Sequence, residues 1–261
     1  MSGILLLDRG NHSLKAALSV SGRIVRKWRV EAAPAMRGPE GGAPEGASDE
    51  LLRQVIDAGS PSAAVVSSVV PGWDGRIAEY LAGRGIADVV IAGSGSRLPL
   101  PLLVDEPQKL GADRISAACG AVASGMREAL IIDAGTAVTV DVLSAEGFEG
   151  GSIFPGAGLL SLALSSGTAA LPRVEAAARA GLPPGRSTEG AIGAGIFWGL
   201  VGAVNEIADR SREGSARDLP VVLTGGTAPL ISEHIRGNPT VIPDLVLLGL
   251  QLLYGLNRNG D

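Results

Sequence analysis

The sequence predicts an α/β protein built twice, as two mixed sheets flanked by helices. Three observations carry this. One motif occurs at Leu5-Leu6-Leu7-Asp8-Arg9-Gly10-Asn11 and again, 125 residues on, at Leu130-Ile131-Ile132-Asp133-Ala134-Gly135-Thr136. From Asp8/Asp133 to Gly22/Gly147 the copies align without a gap, which predicts a duplicated domain. Each half then turns from adjacent short strands to alternating helix and strand, the pattern of a mixed α/β sheet. The predicted domains are 1–115 and 116–261, with the last helix free to pack back on the first.

The elements follow in order. Residues 3–8, 13–20 and 23–30 read as strands, with turns at Asp8-Arg9-Gly10-Asn11 and Ser21-Gly22. Residues 32–48 are rich in Pro, Gly and Ala without periodicity and read as a loop. Ser48, Asp49 and Glu50 mark a helix start, since acids suit the first turn, and that helix runs to about Asp57. A strand over 63–70, a helix over 74–83 and a strand over 88–92 come next. A Pro-rich extended stretch, 98–107, precedes a helix opening at Gly111-Ala112-Asp113-Arg114. The second half has strands at 129–133, 137–143 and 148–154, then helices near 158–166 and 188–210. A strand over 220–224 runs into Gly225-Gly226, and an apolar helix spans 245–257.

Composition narrows the class. The chain has 261 residues, and 46% hydrophobic content is ample for a core. Aromatics are only 3%, so aliphatic residues must fill it. Net charge is −5 with both signs interspersed, so no basic block argues for nucleic acid. Cys119 is the single cysteine, so an intrachain disulfide is excluded; a buried structural thiol and a cytoplasmic location are expected. His12 and His234 are the only histidines, which argues against a His/Cys zinc site. No apolar run reaches the ~18 residues of a membrane span.

The chemistry-bearing residues cluster at turns. A strand ending in Asp and followed by Gly lets backbone N–H groups approach an anion, while the carboxylate takes a metal directly or through water. In the first copy these are Asp8 and Gly10, with Asn11 adding an amide and Lys15 an ammonium for phosphate. In the second they are Asp133, Gly135 and Thr136. Two such turns facing each other would hold a phosphate chain and its metal. Thr224-Gly225-Gly226, between strand and helix, reads either as a structural βα turn or as bare backbone offered to the adenosine end of a nucleotide. At Gly111-Ala112-Asp113-Arg114 two readings stand: an acid that accepts a proton from a substrate hydroxyl beside an anion-binding Arg, or a capping Asp beside an exposed Arg.

Taken in order, these motifs resemble the type III pantothenate kinases of the acetate-kinase/sugar-kinase/Hsp70/actin superfamily. The resemblance rests on Asp8 to Asn11, Ser67 to Pro71 (SSVVP), Pro107 to Arg114, Asp133 to Ala137, Gly150 to Gly156, Leu171 to Val174, Thr188 and Thr224 to Gly226. It implies two ribonuclease H-like domains around an interdomain nucleotide cleft. It also implies phosphorylation of pantothenate by ATP, the first step toward coenzyme A. By that resemblance Asp113 is the general base, and Gly111, Arg114, Thr188 and the position of Val104 bind pantothenate. Asp8 positions Mg²⁺ with the phosphates, beside Gly10, Asn11 and Lys15. Asp133 holds a monovalent cation, K⁺ or NH₄⁺, and Thr136, Gly225 and Gly226 line the ATP site.

The chain departs from the family pattern twice. His12 stands where Thr or Ser is usual, and Val104 where a pantothenate-binding Tyr is usual. A family member turned to regulation, like the Bvg accessory factor, or a kinase for another small hydroxyl substrate, would also accommodate these changes. Small residues recur at Gly190, Gly193, Gly195, Gly199 and Gly202. Such spacing suits close helix packing within the chain or a dimer interface, and the resemblance to a dimeric family favours a homodimer. Trp198 reads as core or interface. Neither a nucleic-acid nor a membrane partner is expected.

Overall fold

The computed structural model describes residues 3–31, 47–175, 181–215 and 218–258. Most of the expected loop over 32–48 therefore lies outside the described residues, and its last two positions already belong to a helix. The chain divides into two compact units. The first comprises 1–126 and 245–261, and the second 127–244.

In the first unit, β1 (Gly3–Arg9), β2 (Ser13–Val20) and β3 (Arg23–Glu31) form an antiparallel meander. After α1 (Ala47–Gly59), β4 (Pro61–Ser68) pairs parallel to β1. Helix α2 (Trp73–Ala82) leads to β5 (Asp88–Ile91), parallel to β4. The sheet order is β3-β2-β1-β4-β5. A short 3₁₀ turn (Pro107–Lys109) precedes α3 (Ala112–Ala123).

The second unit repeats the plan. Strands β6 (Ala129–Ala134), β7 (Ala137–Ser144) and β8 (Gly147–Pro155) are antiparallel, followed by α4 (Ala157–Gly167) and α5 (Thr188–Ser215). Then come β9 (Val221–Thr224), parallel to β6, the short α6 (Ala228–Ile231) and β10 (Thr240–Val241), parallel to β9. The sheet order is β10-β9-β6-β7-β8, the first sheet's order read backwards. The sequence reading missed α6 and β10, because four and two residues are too few to show a period. The last helix, α7 (Leu245–Asn257), belongs to the first unit.

Two sequence expectations need correction. First, the repeat is not gapless. Asp8 faces Lys15 across the first hairpin, but Asp133 faces Thr139 across the second. The β6–β7 turn is thus one residue shorter, and equivalent positions beyond it are 124 apart rather than 125. The shifted register is kept farther on: Lys15 pairs with Arg29 as Thr139 pairs with Ile153. The register shift between Leu18 and Ser19 recurs between Val142 and Leu143.

Second, the predicted boundary at 115/116 falls inside α3, whereas the units divide after Met126. Ile115 and Cys119 of α3 pack with Leu6, Ala17 and Val65 of the first sheet and with Leu247, Leu250 and Leu253 of α7. A break there would expose that cluster. Helix α5 is by length and composition apolar enough to cross a membrane, yet more than half of its most apolar stretch is buried. Its Phe197, Leu200, Val201, Val204 and Ala208 instead pack into the second unit's core with Leu130, Val140 and Leu223. Trp198 lies against that core, its indole N–H 3.2 Å from the Gly181 carbonyl.

Candidate active site

Asp8 sits at the C-terminal end of β1, 6% exposed, one residue before the turn. Hydrophobic β1 is buried on both faces, which carries this carboxylate to the rim of a rigid sheet. Its Oδ2 lies 3.4 Å from Lys15 Nζ on β2. The ammonium foreseen as a phosphate ligand is thus an ion-pair partner of Asp8, and it stays partly open to solvent. On the other side Asp8 is paired in register with Ser67 of β4, whose buried Oγ has no hydrogen-bond partner among the described residues.

The turn itself is held by Arg9, which sequence reasoning overlooked. The residue is 7% exposed, and its guanidinium donates to the carbonyls of Gly10 and Ser13, the latter at 3.4 Å. Burial lowers its pKa from the usual arginine value. Gly10 N–H also donates to the Ser13 carbonyl, at 3.0 Å. A Cβ at Gly10 would come no nearer than 3.7 Å to Ser13 O, so the protein alone does not require glycine there. Asn11 is exposed, and His12 is half-buried with its Nδ1 enclosed and unpartnered among the described residues.

In the second unit Asp133 ends β6 as Asp8 ends β1, and it pairs in register with Thr224 of β9. Here the glycine is demanded. Gly225 has φ +95°, and a Cβ on it would overlap Asp133 Oδ1 and the Ala134 carbonyl. The tight turn closes with Thr227 N–H donating to Ala134 O at 3.0 Å. Thr136 is half-buried, and its carbonyl accepts from Gly156 N–H at 3.0 Å; Gly226 is exposed. Thr188 is exposed as the first residue of α5.

Returning to the first unit, Gly111 caps α3 and Asp113 lies in that helix's first turn. Asp113 Oδ1 accepts from the Arg114 backbone N–H at 2.8 Å, and a Cβ at Gly111 would lie 2.5 Å from the same oxygen. The carboxylate thus accepts from a backbone N–H of its own helix's first turn, and it is half-buried. Arg114 and Val104 are also half-buried.

Gly111 and Ala112 line a cavity of about 680 Å³ in the first unit. Its other walls are the loop after β4, from Ser68 to Gly72, strand β5, the Gly93–Ser96 loop, Asp74 and Asn257. Its lining runs along edge strand β5 and includes the segments that follow the carboxyl ends of parallel strands β4 and β5, where open α/β sheets bind ligands. Burial raises the pKa of Asp74, whose Oδ1 lacks a hydrogen-bond partner among the described residues.

Among the described residues no three His, Cys, Asp or Glu side chains gather as a metal cluster. Mg²⁺ needs none when it travels on a nucleotide, because it keeps several waters and takes one or two carboxylates plus phosphate oxygens. Asp8, anchored at a strand end, fits that demand.

Comparison with known proteins gives a concordant result. The family model for "Type III pantothenate kinase" matches residues 4–210. A type III pantothenate kinase of Syntrophotalea carbinolica is 34% identical over 261 residues, covering 98% of this chain and 99% of that one. A crystal structure from Campylobacter jejuni, provisionally named a Baf family transcriptional activator, has TM-score 0.60 at 17% identity, covering 96% and 97% of the two chains. A ROK family glucokinase from Streptomyces griseus, solved with glucose and AMPPNP, has TM-score 0.54 at 14% identity, covering 99% and 100%. These two structures share the two-domain fold.

Proposed function

The chain belongs to the type III pantothenate kinase family, and from that premise we propose how its residues transfer the γ-phosphoryl group of ATP to pantothenate. Such kinases phosphorylate pantothenate in coenzyme A biosynthesis, using ATP and a divalent metal. The observation that carries the residue assignment is the paired architecture: two sheets of the same order, each ending its central strand in an aspartate opposite a hydroxyl residue.

In this reading Asp113 accepts the proton of pantothenate's primary hydroxyl as its oxygen bonds to phosphorus and the bond to ADP breaks. Arg114 and Thr188 orient pantothenate, and the first-unit cavity beside Gly111 receives it. Val104 replaces a polar contact with an apolar one, which costs binding rather than chemistry. Asp8 holds Mg²⁺, which neutralises charge on the transferring group, while Gly10, Asn11 and Lys15 meet the phosphates. Thr136, Gly225 and Gly226 line the nucleotide. Asp133, cradled against Gly225, holds K⁺ or NH₄⁺. The enzyme works in the cytoplasm as a homodimer.

The test is phosphoryl transfer from ATP to pantothenate with Mg²⁺, with and without K⁺. Asp113→Asn is expected to lower kcat by about 10²–10⁴-fold with the melting temperature little changed. Folded wild-type protein without turnover would reject the reading, and a fully active Asp113→Asn would require another base.

A further inference from the structure

Strand β3 lies at the edge of the first sheet and carries Arg23, Arg26, Lys27 and Arg29 within nine residues. Register sorts these cations by face. Arg29 pairs directly with Lys15, and Lys15 pairs directly with Asp8, which pairs with Ser67. Residues directly opposite in a ladder share a face. One rung across four strands therefore reads Arg29, Lys15, Asp8, Ser67. Lys27 and Glu31, two residues either way along β3, lie on the same face.

Two cations directly opposite one another destabilise a sheet. Asp8 offsets Lys15 at 3.4 Å. Arg29 meets Glu31 at 3.4 Å, but both side chains are more than half exposed, and such pairs contribute little. The rung thus holds adjacent positive charges with only one well-buried carboxylate among them, beside the Asp8–Gly10 turn. A polyanion at that turn would relieve the repulsion, and a guanidinium fits phosphate oxygens in a bidentate fork.

We infer that Arg29 and Lys15 together form a cationic seat for the triphosphate of the nucleotide, with Arg29 reaching in from the edge strand to orient its phosphates. This rests on the kinase reading above. Arg26 serves as an internal control: it pairs with Leu18 on the opposite face, and its guanidinium lies 4.9 Å from the Trp28 ring.

Titrating the Mg²⁺ complexes of ATP and ADP, and AMP alone, into wild type, Arg29→Gln, Arg29→Lys and Arg26→Gln tests the seat. Arg29→Gln should weaken ATP by roughly tenfold, the loss of one charge-assisted hydrogen bond, and leave AMP unchanged. The KM for ATP should rise in step while the KM for pantothenate holds. Arg29→Lys should recover most of the affinity, and Arg26→Gln should bind as wild type. Equal binding of ATP by wild type and Arg29→Gln would overturn the inference, as would an equal loss for AMP. If Arg29→Gln fails to fold, Arg29→Thr, whose β-branched side chain suits a strand, decides: wild-type KM for pantothenate with a raised KM for ATP supports the seat, and a change in neither removes it. Wild-type protein that binds no ATP would instead overturn the kinase reading itself.

Discussion

Single residues show most plainly what burial does to chemistry. Cys119 on α3 is fully buried among Leu6, Val65 and Leu250, and desolvation pushes its thiol up from 9.0 to about 12. It is inert by environment, as its small and apolar sequence neighbours suggested. The folded thiol stays protonated where the unfolded one ionises. Its contribution to stability is therefore intact below pH 9 and is lost as pH rises from 9 toward 12. Thermal melts between pH 8 and 11 should show wild type losing stability more steeply than Cys119→Ala. Parallel curves would place the thiol in a more solvated setting. Asp8, Asp133 and Asp113 were all visible as aspartates beside glycine. Arg9 was not, because a guanidinium folded back onto its own turn has no sequence signature.

At the scale of elements, close backbone approach decides which glycines matter. Helices α3 and α7 cross so tightly that a Cβ on Gly249 would overlap the Ser116 carbonyl, and one on Gly120 the Leu245 carbonyl. Neither atom can swing aside, as a side chain would. Gly249→Ala should cost about 1–3 kcal/mol or more in denaturant unfolding. Gly75 on α2 has nothing within 4 Å of its Cβ position, and Gly75→Ala should gain about 0.4–1 kcal/mol. Equal effects at the two sites would contradict the crossing. Both glycines look alike in sequence; only the packing of a second helix separates them.

For the whole molecule, the unfilled positions carry the expectation. Gly195, Gly199 and Gly202 on α5 are exposed, with nothing within 4 Å of where a Cβ would stand. Leu162 on α4 and Ile153 on β8 are exposed apolar side chains in the same unit. A second copy covering these elements is the homodimer of the proposed reading. Sedimentation should give twice the 26.3 kDa chain mass for wild type. Gly199→Glu, which places a charge on the open face without an internal clash, should sediment as a monomer. Monomeric wild type at micromolar concentration would remove the dimer.

The sequence by itself determined the duplication, the order of most strands and helices, the Asp-x-Gly turns and the family. These are local: alternation, turn chemistry and short motifs reside in neighbouring residues. Only the tertiary structure decided what depends on distant partners. It shortened the second hairpin by a residue, returned α7 to the first unit, set Lys15 against Asp8 and aligned Arg29 on the same rung. The physical reason is that strand register and helix crossing are chosen by the burial of whole faces. A one-residue slip moves every side chain to the other side of a sheet, and no local window records it.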